Sequence, residues 1–322
     1  MIDAVVRSGQ DTGDGTRTAL LELLELLDAQ AYRFVTATPG THTRVVRRPG
    51  RERANSLRDV LGWSLPFEAG VVPADVLRLM ERAGVVEDAG DGLRRATVRV
   101  SSVHETLFLH SAYPTLAEDS VFLGPDSYRF ADLIVARMGD LPNGARILDY
   151  AAGAGVGGIS AARAAGNARL TQADINGKAL RLAGVNAEFA GLDHREVEAT
   201  EPKAVDGEYD LIVTHPPFMM DEAGRAYRDG GDLYGARLSL DWALALKEKL
   251  RPSGKLVLHT GVSIVDGRDV LLDELRRQVP AVGWSMWYHE LDPDIFSEDL
   301  DTPPYSEVER IAAVGLVLTR TD

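Results

Sequence analysis

The 322-residue chain has no cysteine. Disulfides and thiolate metal ligands are therefore excluded. Its seven histidines are scattered, without a His-x-x-x-His or comparable spacing, so no metal site is expected. No apolar run reaches the roughly eighteen residues of a membrane-spanning helix. The opening "MIDAVVRSGQDTGDGT" lacks the basic-then-apolar order of a secretory signal, and a cytoplasmic location with no membrane contact is expected. Basic residues are also scarce, 35 Lys and Arg against 49 Asp and Glu, for a formal charge of −14. That balance argues against a surface that grips a polyanion as a whole.

One stretch runs the other way. "THTRVVRRPGRER" holds Arg44, Arg47, Arg48, Arg51 and Arg53 against the single acid Glu52; it reads first as a solvated loop and second as a local basic patch. With 45% hydrophobic and 26% charged residues, the chain is globular in composition and long enough for two domains. Residues 1–16 are polar and Gly-containing and are expected to be a disordered tail. Residues 17–112 read as a small α+β domain. Leu20, Leu23, Leu24, Leu27 and Ala31 recur at helical spacing. In "PADVLRLMERAG", Pro73 marks a first turn, Val76, Leu77, Leu79 and Met80 face a core, and Gly84 is the stop. Two β-prone runs around "AGDG" follow, and a helix then a hairpin is the order of a winged-helix-like module. Such a module serves substrate recognition or mere packing.

Residues 113–322 form the second expected domain, and from about residue 144 strands and helices alternate. "RILDY", "ARLTQAD", "YDLIVTH" and "GKLVLHTG" read as strands; "GGISAARAAG", "NGKALRLAGVNAEFAG" and "ARLSLDWALALKEKL" read as helices. This predicts an α/β fold, a doubly wound and mostly parallel sheet with ligands beyond the carboxyl ends of its strands. The turn "DYAAGAGVGG" after the first strand lets backbone approach a ligand and opens a helix toward it. Asp174 ends the next strand, where a carboxylate can accept from both hydroxyls of a ribose. Asp149, before the glycines, can hold an ammonium group directly or through water.

Together "RILDYAAGAGVGG", "ADINGKALRLAGVNAEFAG" and "DLIVTHPPF" resemble the first, second and fourth motifs of class I S-adenosylmethionine-dependent methyltransferases. Within that class they are similar to the branch with an Asn/Asp-Pro-Pro-Tyr/Phe corner: release-factor glutamine, ribosomal RNA small-subunit guanine and adenine N6-methyltransferases. The resemblance spans about residues 120–319 and includes the lead-in "FLGPDSYRFADLI". It implies a seven-stranded sheet with an antiparallel last strand, formed by "WSMWYHELD" and "ERIAAVGLVLTR". It implies S-adenosyl-L-methionine as cofactor, held by Tyr128, Asp149, Ala151, Gly153, Gly155, Asp174, Ile175, Thr200 and His215. Two departures stand out: Ala151 replaces the usual first glycine, and the third-motif acid is missing, with Thr200 or Glu201 near its place.

The resemblance gives catalysis to His215, Pro216, Pro217 and Phe218. The prolines fix the backbone so that the carbonyl of His215 or Pro216 accepts one proton of an amino group, and Phe218 stacks on a planar acceptor. The side chain in the His215 position is ordinarily Asn or Asp, a second acceptor. A neutral imidazole can accept one hydrogen bond; it can also take a proton near neutral pH. Both roles stay open. The expected activity is N-methylation of a planar nitrogen, a glutamine-like amide in a protein or a nucleic-acid base. The alternatives are N-methylation of a small metabolite and a catalytically altered cofactor-binding scaffold.

Overall fold

A computed structural model of the protein describes residues 14–221 and 228–321. Of the expected tail, residues 1–13 lie outside the described residues, and Asp14 to Thr16 already belong to the first helix. The N-terminal half contains α1 (Asp14–Ala29), α2 (Pro39–Val46), α3 (Leu57–Leu61), α4 (Ala74–Arg82) and the strands β1 (Val86–Gly90), β2 (Leu93–Ala96), β3 (Val98–Val103) and β4 (Thr106–Ser111). α5 (Pro125–Arg137) leads into β5 (Ala145–Tyr150), α6 (Val156–Ala165), β6 (Ala168–Asp174), α7 (Gly177–Phe189), β7 (Asp193–Glu198) and β8 (Tyr209–Thr214). The chain ends with α8 (Arg237–Lys247), β9 (Leu250–Val265), β10 (Arg268–Asp269), α9 (Val270–Gln278), β11 (Trp284–Asp292) and β12 (Arg310–Arg320).

The large sheet has the order β7-β6-β5-β8-β9-β12-β11. β5 pairs in parallel with both β6 and β8, so the strand order reverses at β5 and opens a crevice at its carboxyl end. β12 inserts antiparallel between β9 and β11. The doubly wound sheet and its antiparallel last strand are as the sequence implies. The two-residue β10, paired with β9, brings the strands to eight where seven were expected. Central strands such as β8 are buried on both faces, which is why "YDLIVT" carries the unbroken apolar run Leu211 to Val213.

The helix-then-hairpin order is present as α4 followed by β1 and β2, and a second hairpin, β3–β4, comes after it. Thr41 to Val46 of the stretch expected as loop belong instead to the helix α2, opened by the Thr38 side chain capping Thr41 N–H and by Pro39 in the first turn. One continuous apolar cluster joins Leu20 and Leu24 of α1, Met80 of α4 and Leu109 of β4 to Leu182 and Val185 of α7. The N-terminal segment therefore packs directly on the helix layer of the sheet. Arg17 of α1 reinforces this through ion pairs to Glu188 and Glu196 at 2.8 and 2.9 Å. The opposite face of the sheet is covered by α8 and α9 around Ile212, Leu240, Leu258 and Leu271. Among the described residues no helix is long and apolar enough to cross a membrane.

Candidate active site

A cavity of about 590 Å³ opens at the carboxyl end of β5, β6 and β8, within the range of small-molecule sites. Ala151, Gly153, Asp174, Ile175, Thr200, His215, Pro216, Pro217 and Phe218 all line it. Residues from three strand ends thus meet in one space. Asp174 accepts the N–H of Gly153 at 2.9 Å on one oxygen and that of Asn176 at 2.8 Å on the other. The Ile175 N–H also acts on this carboxylate, and a ligand hydroxyl would use its remaining acceptor capacity. Burial raises the Asp174 carboxyl above the usual range, and the backbone N–H groups oppose this. Ile175 is 56% exposed although apolar, a flat hydrophobic surface left open beside the carboxylate.

Three residues expected at the cofactor stand outside the cavity lining. The Asp149 carboxylate is buried beneath α6, where it accepts the Gly158 N–H at 2.7 Å; burial pushes it up to about 8. A Cβ on Gly158 would lie 2.7 Å from that of Asp149, so the glycine is the counterpart of the buried acid. Gly155, with φ 80°, caps α6 and faces Gln172, whose amide would lie 2.4 Å from an added Cβ. It brings helix close to sheet. The Tyr128 hydroxyl accepts the Thr36 N–H at 2.9 Å and so ties α5 to the N-terminal segment. Ala151 holds φ 58°, a left-handed conformation in which its Cβ is unfavourable.

At the corner, His215 Nδ1 lies 2.9 Å from the backbone carbonyl of His259. A carbonyl only accepts, so Nδ1 carries the hydrogen and Nε2 of the neutral ring is left with its lone pair. Burial lowers the affinity of His215 for a further proton, with nearby Asp126 and the His259 carbonyl working against that shift. The ring packs nearly parallel to Phe218, 29° between planes at a centroid distance of 5.8 Å. Phe218 lies flat on β9 because position 261 is glycine; a Cβ there would come within 2.3 Å of the ring. Gly230 and Gly235 press the following loop onto the same corner, where the Gly230 N–H donates to the Met219 carbonyl at 2.8 Å.

Sequence reasoning missed Asp126, Asn176, Trp242 and Phe296, which also line the cavity. Asp126 is buried, paired with Arg129 at 3.0 Å, and held above the usual carboxylate range by burial. "GPDS" does carry the signal, a proline and an acid in a helix's first turn. Asn176 caps α7, accepting from Lys178 N–H at 2.9 Å. Its place after "AD" at a strand end could have been read as an N-cap.

Residues 129–228 match the family model of the methyltransferase small domain. The release factor glutamine methyltransferase of Deinococcus radiodurans is 30% identical over 154 residues, 47% of this chain and 54% of that one. Ribosomal RNA small subunit methyltransferase C of Ectopseudomonas mendocina is 27% identical over 154 residues, 44% of this chain and 46% of that one. The chain spans about half the length of these curated relatives. Among solved structures, TrmN from Thermus thermophilus covers 98% of this chain and 81% of its own at 21% identity, with a TM-score of 0.41. That overlay is loose, and the fold assignment rests on the strand order. Over the matched residues the chain is thus similar to methyltransferases, the class implied by the three motifs, and its strand order is the one that resemblance implies.

Proposed function

We propose that this protein transfers a methyl group from S-adenosyl-L-methionine to a planar nitrogen, a glutamine-like amide or a nucleic-acid base. The observation that carries the reading is the Nδ1 hydrogen bond of His215 to the His259 carbonyl, which leaves Nε2 as an acceptor beside the Pro-Pro-Phe corner. The cavity suits the cofactor: the remaining acceptor capacity of Asp174 fits a ribose hydroxyl, and Ile175 offers adenine an apolar face. When bound, the cofactor supplies an electrophilic methyl on a sulfonium. Gly153 and its neighbours would hold its methionine part by backbone, and Thr200, also in the lining, would serve its adenine end.

At the acceptor end the chain's own groups hold and orient. The His215 Nε2 lone pair and the carbonyl of His215 or Pro216 each accept one hydrogen of an amino group, and Phe218 stacks on its plane. Held this way, the nitrogen lone pair points out of conjugation and toward the methyl, so rate comes from positioning. Asp126 adds a buried carboxylate to the cavity wall besides the half-buried Asp174, which favours an acceptor that brings N–H donors. A substrate-presenting role for the N-terminal segment, residues 17–112, belongs to the same proposal, since Pro39 and Tyr113 reach the cavity from that side. Transfer of labelled methyl groups to a lysate fractionated into protein, RNA, DNA and small molecules tests the reading. Label in the protein or RNA fraction supports it, label only in small molecules moves the function to a metabolite enzyme, and no label with intact cofactor binding leaves a scaffold.

A further inference from the structure

We propose that α2 and the turn that follows it bind the phosphate backbone of a single-stranded nucleic acid whose base enters the cavity, through Arg44, Arg47 and Arg48. This rests on the methyltransferase reading above and names its acceptor. Residues 29–51 contain five arginines and no acidic residue, in a chain with 49 acids. Arg33 is paired with Asp28 and Arg51 with Asp59. Arg44, Arg47 and Arg48 are exposed and, among the described residues, none forms an ion pair. Each guanidinium presents a donor fork that matches phosphate.

The helix is anchored to the cavity mouth at its other end. Pro39 of its first turn and Tyr113 both line the cavity. Thr43 Oγ1 lies 3.3 Å from the Tyr113 hydroxyl, and the His42 ring packs 4.1 Å from that of Tyr113. At about 100° per residue, Arg44 and Arg47 fall on the side of α2 opposite His42 and so face solvent. At about 1.5 Å per residue α2 rises roughly 10 Å from Pro39 to its end at Val46, and Arg47 and Arg48 follow directly, within reach of the strand flanking a base held in the cavity. The cavity wall supplies the second half of a single-strand site. Tyr113, Phe122, Phe218, Trp242 and Phe296 give aromatic surface on which a base can stack. A base reaches such a cavity only by leaving its own stack, which draws the adjoining phosphates over the rim. A peptide amide would bring no row of anions to meet three arginines that form no ion pair among the described residues. The net charge of −14 keeps the rest of the surface unattractive to a polyanion, so binding is confined to this edge.

Fluorescence anisotropy with a labelled, mixed-sequence 15-nucleotide RNA strand at increasing KCl tests the proposal. Wild-type protein should bind, with affinity falling as salt rises. The Arg44→Ala, Arg47→Ala, Arg48→Ala triple variant should bind about 10-fold more weakly or worse, with a salt slope shallower by about 2, since each lost contact to a single strand removes ~0.7. Arg276→Ala, an exposed arginine of α9, should match wild type. Failure of wild type to bind, or equal affinity and slope in wild type and the triple variant, would overturn the arginine site. So would a triple variant that loses methylation of the protein fraction of a lysate and not of the RNA fraction. Calorimetry with S-adenosylhomocysteine separates the two levels: binding by wild type and triple variant alike leaves the methyltransferase reading standing, and no binding by wild type removes it.

Discussion

Asn186 of α7 reads the backbone of Leu109 in β4 as a neighbouring strand would. Its Oδ1 accepts the Leu109 N–H at 2.9 Å and its Nδ2 donates to the Leu109 carbonyl at 3.0 Å. The same Nδ2 donates to the carbonyl of Ala154 in the glycine turn at 2.9 Å, so one fully buried amide joins the N-terminal segment, α7 and the ligand-facing turn. Asn186→Leu would leave three backbone groups buried without partners, at about 1–3 kcal/mol each. We expect a loss of about 3 kcal/mol or more in urea-denaturation stability, with a single transition because the apolar core is continuous across the joint. A loss under about 1 kcal/mol would show that the joint contributes little.

Asp174→Ala should weaken binding of S-adenosylhomocysteine by about 1.5–3 kcal/mol, the scale for hydrogen bonds to a charged group. Because Asp174 also accepts from Gly153 and Asn176, circular dichroism must first show the variant folded. Unchanged affinity in calorimetry would remove Asp174 from the cofactor site.

The role of His215 is read from three proteins and a pH profile. As a neutral acceptor it is replaceable, so His215→Asn should keep substantial methyl transfer while His215→Ala loses about 10²-fold. Burial lowers the proton affinity of His215, so the wild-type rate should hold on the neutral side and fall only below the ordinary histidine value of about 6.5. In His215→Asn that acid limb should vanish. If Asn is as damaging as Ala, His215 works as a base instead.

Ala151→Gly should raise stability by about 1 kcal/mol, since φ 58° strains a residue with a Cβ and not glycine. Chemical denaturation measures it. A destabilised variant would mean that the alanine methyl makes contacts worth more than the strain.

His42 is buried, and desolvation, with Arg99 and Arg51 nearby, lowers it to about 4. In the unfolded chain it titrates near 6.5. Between those values the unfolded state binds the extra proton, so its contribution is complete above about pH 6.5 and lost as pH falls through 4. The stability difference between wild type and His42→Gln should therefore shift against wild type by on the order of 2–3 kcal/mol from pH 7 to pH 4. Asp149, raised to about 8 by burial, acts in the opposite sense, its contribution complete below about pH 4 and lost as pH rises through 8. The comparison with His42→Gln removes that background. Parallel pH curves for the two proteins would rule out a buried neutral His42.

The strand–helix alternation after residue 144 was legible because buried parallel strands must be apolar runs and their helices amphipathic, a pattern local to each segment. The glycine turn, Asp174 and the Pro-Pro-Phe corner were legible for a similar reason: backbone geometry demands those residue types at those places. β7, "DHREVE", escaped notice because an edge strand is half polar and its sequence does not differ from loop. α2 escaped because the five arginines between Thr41 and Arg53 suggested charge before helix. Asp149 and Tyr128 have residue types that suit a ligand, and only packing decides which way they face: one beneath α6 on the Gly158 N–H, the other toward Thr36. The tautomer of His215 is likewise beyond the sequence. The carbonyl that sets it comes from His259, 44 residues away, and meets the corner because β8 and β9 lie side by side in the folded sheet.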